Sequence, residues 1–435
     1  MINNLRYDCV IILNNVLNGG AYSNITLKDY LDKSDLKYID KKLVTEIVYG
    51  TIRYKLTIDG ILSRFVKKLD QNDISTIILR SAIYQLKYLD KIPEYSVLNE
   101  SVEVAKKLCK NKSGFVNGVL RNYLRNKKLI DGYKNTLQYE YSFSSWMIKL
   151  FKDQYSKNYI SLMEALNKRS ETCYRINSKI ISKKDFIEKF GDEFKIEYID
   201  GFKNAIKIKS PINIFQSELY KNGFISVQGL SSQIACEILN PIEGDVIIDL
   251  CAAPGGKSTY IAELLKDKCK VISCDVYDHR IELIKSSAKR LKLNSIDCFI
   301  NDATILNEKF IDKADKVLID VPCSGLGVIN KKPEIKWFKN ISDLKEIINI
   351  QRKIIFNASR YVKSNGVLMY TTCTLNKNEN EEMIKWFLES NTDFVVEEIE
   401  DYHFGNLSFE NNEGMITIFP SEVNNGFFIT KLRRN

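Results

Sequence analysis

The sequence predicts a multidomain protein: an all-α N-terminal domain, a small α/β region, and a C-terminal α/β domain on a doubly wound, Rossmann-like parallel sheet. Three observations carry this. At 435 residues the chain exceeds what one hydrophobic core ordinarily organises, so two or three domains are expected. Apolar residues recur at helical spacing through about the first 135 positions. From about residue 226, short β-branched runs alternate with helical stretches, the pattern of parallel strands joined by crossover helices.

In residues 1–135, LVTEIVYGTIRYKLTIDGILSRFV sets Leu43, Val44, Ile47, Val48, Ile52, Ile58, Ile61, Leu62 and Phe65 near helical spacing. ISTIILRSAIYQLKYL repeats the pattern with Ile74, Ile77, Ile78, Ala82, Leu86 and Leu89. Pro93 stops that helix and Ser96 is the expected cap of the next. GFVNGVLRNYLR turns Phe115, Val116, Val119, Leu120 and Leu124 inward and leaves Arg121, Arg125, Lys127 and Lys128 outside or near the end. These charges read as a solvated face or as a surface for nucleic-acid phosphates. Residues 136–225 mix two short helical patterns with CYRIN, KKDFIEKF, FKIEYI and AIKIK, a small α/β unit. Arg169, Tyr174, Arg175 and Lys179 there are of types that suit RNA contacts. In residues 226–435, VIIDLC, KVISCDV, DCFIND, DKVLIDVPC and GVLMYTTC read as strands. Ligands of such sheets bind beyond the carboxyl ends of the strands, where Cys251 through Lys257, Asp275, Asp302, Asp320 with Cys323, and Cys373 all fall.

Bulk properties narrow the class. Apolar residues make up 44% and charged residues 27%, with no apolar run near the roughly 18 residues of a membrane span. The start, MINNLRYDCVIILNNVLN, lacks the basic cluster and cleavage site of a secretory signal. A cytoplasmic protein without a membrane partner is expected, and its 10 cysteines should be reduced thiols, mostly buried. There is no C-x-x-C pair and only two histidines, His279 and His403, so no metal site is expected. The formal charge of +9 favours a polyanionic partner.

LCAAPGGKST, residues 250–259, is one residue from a triphosphate-binding loop, because Cys251 stands where the first glycine belongs. Side chains at Cys251, Ala252 and Ala253 and the fixed φ of Pro254 oppose wrapping around a phosphate. Gly255 and Gly256 instead allow close backbone approach to an adenosine-bearing ligand. Asp275 ends the next strand, 20 residues beyond Gly255, placed to accept ribose hydroxyls. Asp302 ends the third and can reach an adenine amino group. The GxGxxG fingerprint of dinucleotide enzymes is missing, so S-adenosyl-L-methionine fits better than NAD.

DLCAAPGGKS, the acid in SCDV, the NDA turn, DKVLIDVPCSGLGV and YTTCTLNKNENE together resemble the Sun/NOP2-type RNA cytosine-C5 methyltransferases. VYGTIR, YQLKYLDKIPEYSVLNESVEVAK and FVNGVLRNYLR resemble the NusB-type helical domain, so the resemblance spans the whole chain. It implies a NusB-like RNA-binding domain (1–135), a small RNA-binding linker domain (136–225) and a catalytic methyltransferase domain (226–435). The implied activity is formation of 5-methylcytosine in 16S ribosomal RNA, with unassembled small-subunit RNA as partner and a monomer as the expected state. The sequence departs from the family pattern at Ala314, at Asn330 and Lys331, where relatives carry arginines, and at Asn425.

Cytosine C5 is a poor nucleophile until a thiolate adds at C6, so the reaction needs an activated cysteine and a group at the N3/N4 edge. Cys323 and Cys373 compete for the nucleophile's role on chemistry alone. The resemblance implies that Cys373 attacks and Cys323 assists release, with Asp320 at the cytosine edge and near the methyl donor. Lys257 pairs with the donor carboxylate or orients the base, and Arg280 covers the ribose side or makes a surface salt bridge. The donor-binding set is thus Cys251, Ala252, Ala253, Pro254, Gly255, Gly256, Lys257, Asp275, Arg280, Asp302 and Asp320. Rival readings are a P-loop NTPase, a non-catalytic RNA-binding assembly protein, and the same chemistry on transfer RNA or 23S ribosomal RNA.

Overall fold

A computed structural model describes residues 5–131, 136–210, 212–399 and 402–435. The chain divides into two compact units, one of residues up to Asn167 with Lys331–Lys339, the other of Lys168–Asn330 with Asn340–Asn435. The boundary expected after residue 135 adjoins residues outside the described ones.

The first unit is helical: α1 (Leu5–Leu17), α2 (Ser23–Lys33), α3 (Tyr38–Arg53), α4 (Lys55–Leu62), α5 (Ile74–Tyr88), α6 (Glu94–Leu108), α7 (Ser113–Asp131), α8 (Leu137–Tyr141), α9 (Ser145–Tyr155) and α10 (Tyr159–Asn167). Asp73 caps α5 by accepting from the Ser75 amide. This helix is buried almost all round, Ile77, Leu79, Ala82 and Ile83 among its core residues. Gly50 lets α3 approach it, since a Cβ there would stand 1.8 Å from the Tyr84 ring. Two expectations need correction. Phe115 is 42% exposed rather than inward, although the next residue, Val116, opens the buried stripe it forms with Val119 and Leu120. Ser96 is no cap: α6 already starts at Glu94, directly after Pro93, and the Ser96 hydroxyl donates to Glu100.

The Lys331–Lys339 segment completes this unit by satisfying helix ends. Glu334, 1% exposed, accepts from the Ser23 amide (3.1 Å) and hydroxyl (2.7 Å) at the start of α2. Trp337 Nε1 donates to the Ile52 carbonyl at 2.8 Å. Lys336 Nζ donates to the Arg53 carbonyl and to Asn167 Oδ1 and sits 3.9 Å over the Phe143 ring.

The second unit holds two sheets. The small one comprises β1 (Tyr174–Ile176), β2 (Ile196–Tyr198), β3 (Ala205–Ile208) and β4 (Ile225–Val227), ordered β2-β3-β1-β4 and antiparallel throughout, with α11 (Lys183–Phe194) and α12 (Glu218–Lys221). The large one runs through α13 (Leu230–Ile238), β5 (Val246–Asp249), α14 (Gly256–Leu264), β6 (Lys270–Asp275), α15 (Asp278–Arg290), β7 (Ile296–Ile300) and β8 (Ala314–Asp320). After α16 (Ile335–Phe338), which lies in the first unit, follow α17 (Ile341–Tyr361), β9 (Val362–Thr372), α18 (Glu381–Ser390), β10 (Phe394–Val396), β11 (Phe409–Asn412), β12 (Met415–Ile418) and β13 (Phe427–Arg434).

Strand order is β11-β12-β13-β9-β8-β5-β6-β7. The five strands β5 to β9 are mutually parallel, as the continuous apolar runs predict. The sheet is nevertheless mixed, because β13 pairs antiparallel with β9 and carries β10 and β12 on it. Apolar clusters flank both faces, one built with α13 and α14, the other with α17 and α18. Chain order reverses between β5 and β8, and a doubly wound sheet opens its ligand crevice at that switch point.

Candidate active site

The site begins where β5 ends. Asp249 is 1% exposed; the Ser258 hydroxyl donates to its Oδ2 at 2.6 Å, while Oδ1 has no hydrogen-bond partner among the described residues. Burial pushes its carboxyl up to about 6 against the opposing pull of Ser258 and Lys257. The next residues turn back on the sheet: the Ala252 amide donates to the Cys274 carbonyl, and the Ala253 amide to Asp275 Oδ2. A cis Ala253–Pro254 bond leads into Gly255 at φ +97°. A Cβ at Gly255 would meet Ile284 atoms at 3.2 Å, so glycine is required both by the backbone and by the packing of α15. Cys251 is no reactive thiol, because burial and the acids Asp249, Asp320 and Asp275 raise it well above its ordinary value.

Lys257, in the first turn of α14, donates to Asp320 Oδ2 at 2.5 Å. Burial works against its charge, but Asp320 beside it outweighs burial and leaves Lys257 above the ordinary lysine value. Asp320 Oδ1 accepts from Thr371 Oγ1 at 3.0 Å. Register brings the remaining pieces together, since Asp320 lies opposite Thr371 in the β8–β9 ladder. Three residues past Asp320 and two past Thr371, the thiols of Cys323 and Cys373 meet, Sγ to Sγ 3.2 Å. Cys323 is raised well above the ordinary thiol value, by its hydrogen bond with Cys373 first and by burial second. Of the expected residues, Asp275, the glycine loop, Lys257, Asp320 and the two thiols gather at the ends of β5, β6, β8 and β9.

The pattern of these parts can be compared with known proteins. The family model described as 16S rRNA methyltransferase RsmB/F matches residues 236–433. The NusB family matches residues 4–125, and the ferredoxin-like domain of RsmF/B-like methyltransferases residues 143–215. The probable ribosomal RNA small subunit methyltransferase B of Bacillus subtilis is 33% identical, over 95% of each chain. Its namesake in Synechocystis sp. is 31% identical over 98% of each. The crystal structure of PH0851 is similar with a TM-score of 0.82 at 26% identity, covering 100% of this chain and 99% of that one.

The chain belongs to the RsmB/F family of ribosomal RNA methyltransferases.

In this RsmB/F methyltransferase two expected donor-site residues have other engagements. Arg280 pairs with Asp275 at 3.1 Å, with its side chain 45% exposed, the salt bridge that was one of its two expected roles. Asp302 is exposed and binds its own turn through the Thr304 amide and hydroxyl. The reading of Arg175 and Lys179 as RNA-contacting types is corrected. Arg175 is fully buried and bridges the two sheets' elements, donating to both Glu263 oxygens (2.8 and 2.6 Å), to Gln228 and to the Gly256 carbonyl. Lys179 is held by Asp267 at 2.9 Å, and Tyr174 is buried in the small sheet. Their neighbours in sequence could not reveal this, because Glu263 lies 88 residues away. Asp249, Ser324 and Glu379 were missed as site residues. Asp249 carried a usable signal, being the last strand residue before the loop. Among the described residues no group of three or more His, Cys, Asp or Glu could hold a metal ion, and no helix is long and apolar enough to cross a membrane.

Proposed function

We propose that this RsmB/F methyltransferase forms 5-methylcytosine in unassembled 16S ribosomal RNA, in the cytoplasm, through a covalent adduct between Cys373 and cytosine C6. The observation that carries the reading is the thiol pair, 3.2 Å apart, at the ends of adjacent parallel strands and beside the Lys257–Asp320 pair. S-adenosyl-L-methionine would be held by the 251–257 loop, Asp275, Arg280, Asp302 and Asp320, and it supplies an electrophilic methyl on a sulfonium. The loop suits it: Gly255 shapes a close backbone turn, Asp275 is 4% exposed beneath it, and the buried Asp249 Oδ1 awaits a donor.

The Cys373 thiolate adds to C6, and the electron pair moves to C5, which takes the methyl, the S–CH3 bond breaking so that its electron pair would stay on the sulfur of a neutral thioether product. A base then removes the C5 proton, and elimination of Cys373 restores the ring. The Cys323 thiol, 3.2 Å from Cys373 Sγ, is then the group placed to assist release. Asp320, aligned by Lys257 and Thr371, faces the polarised N3/N4 edge. The target base must leave any helix to enter such a pocket.

The test is transfer of labelled methyl to naked small-subunit RNA, with transfer RNA and large-subunit RNA alongside. Label as 5-methylcytosine in one small-subunit fragment is expected. Label only in another RNA overturns the substrate, and label on another atom overturns the chemistry.

A further inference from the structure

Glu379 is fully buried and among the described residues has no cationic partner. Four neutral donors hold its carboxylate instead: the Ser324 amide (2.8 Å) and hydroxyl (2.5 Å), Gln351 Nε2 (3.0 Å) and Asn376 Nδ2 (3.0 Å). Burying a carboxylate without a cation is costly, and hydrogen bonds offset that cost only if nearly every lone pair is used. The donors come from the elements that carry the thiols. Ser324 follows Cys323. Gln351, on α17, also donates to the Pro322 carbonyl at 2.9 Å, on the other side of Cys323. The Ser324 hydroxyl further meets Thr374 Oγ1, next to Cys373, at 2.7 Å.

We infer that Glu379 is a positioning residue of the two-cysteine centre, clamping the Cys323 turn from both sides and tying it to the Cys373 turn. The inference rests on the covalent chemistry proposed above. The two thiols depend on the clamp unequally. Cys373 directly follows β9, whose last residues are fixed by ladder pairing with β8 and β13. Cys323 lies three residues beyond β8, on a turn whose next amide is held by Glu379 alone. Loosening the clamp therefore displaces Cys323 more than Cys373, and the step that suffers most is release of the adduct. An amide at this position faces four donors with only one accepting oxygen, so Glu379→Gln breaks the clamp without removing volume.

Full-length wild type, Glu379→Gln, Ser324→Ala and Cys323→Ala would be mixed with labelled S-adenosyl-L-methionine and small-subunit RNA. Turnover, donor KM and protein–RNA adduct on denaturing gels are read together. Cys323→Ala should accumulate adduct. Glu379→Gln should lose turnover by about tenfold or more, raise the adduct fraction about fivefold over wild type, and leave donor kcat/KM within about twofold, with KM falling alongside kcat, because only a step after methyl transfer is slowed. Ser324→Ala, which keeps the amide but loses the hydroxyl bridge, should move the same way by less, and it decides the matter if Glu379→Gln does not fold. Adduct in Cys323→Ala but none above wild type in the clamp variants overturns the inference alone. No adduct in Cys323→Ala makes Cys323 the nucleophile, which reverses the two roles and overturns the inference with them.

Discussion

Asp249 is a buried acid whose ionisation opposes folding. Its carboxyl is raised from 3.8 to about 6, so between those values the folded state holds a proton that the unfolded state has released. Stability therefore falls as pH rises through this window, and the loss is complete above it, by about 3 kcal/mol for a shift of this size. Asp249→Asn keeps an acceptor for Ser258 and removes the charge. It should raise the melting temperature at pH 8 more than at pH 4.5 while weakening donor binding, both measurable by thermal melts with and without S-adenosyl-L-methionine. At the thiols, Cys373→Ala should abolish turnover, whereas Cys323→Ala should trap a covalent protein–RNA adduct. If Cys323→Ala merely prevents the adduct, the two roles are reversed. The types and order of these residues were legible in the sequence because strand ends are chemically marked. That the two thiols touch was not, since that depends on a 3.2 Å contact across 50 residues.

At the level of elements, the glycine loop and α14 are held from outside themselves. Arg175 on β1 pairs with Glu263 on α14, both fully buried. Removing one partner strands a buried charge, so Arg175→Met should cost about 3–5 kcal/mol in denaturant unfolding. Arg175→Met combined with Glu263→Leu should recover most of it, since the charge left unpaired is then gone. A loss in the double variant equal to that of the single would show that the hydrogen bonds to Gln228 and Gly256 matter more than the charge. Gly255→Ala should destabilise by about 1–3 kcal/mol, from its positive φ and the contact with Ile284, and should weaken donor binding in a calorimetric titration. Helical and strand periodicity made most elements readable. The antiparallel strands β10 to β13 were not, because they follow one another without the crossover helices that mark parallel strands. The face of α7 was misjudged at Phe115 because an apolar residue type does not say where a buried stripe ends.

For the molecule as a whole, the Lys331–Lys339 segment shows that sequence order and structural unit need not coincide. Glu334 caps α2 from 311 residues away, and Lys336, 1% exposed, is pushed well below the ordinary lysine value by burial, with Arg53 acting in the same direction. Glu334→Ala should destabilise the helical unit by about 1–2 kcal/mol, as the loss of a helix cap does. Limited proteolysis of the full chain, followed at sites in α1 to α10, would register it. Unchanged cleavage there would mean that the cap is replaced by water at little cost.

The sequence by itself determined the three-part fold class, the parallel core of the sheet, the glycine loop after β5, and the set of strand-end acids and thiols. These are local facts, set by periodicity, by backbone restrictions at Pro254 and Gly255, and by where strands stop. Only the tertiary structure decided which of those residues touch. It paired Lys257 with Asp320 and Cys323 with Cys373, turned Arg175 from a candidate surface cation into an internal clamp, and gathered Glu379 with Ser324 and Gln351. The reason is that burial and hydrogen bonding are properties of neighbours in space, and β-sheet register makes neighbours of residues that no sequence window contains together.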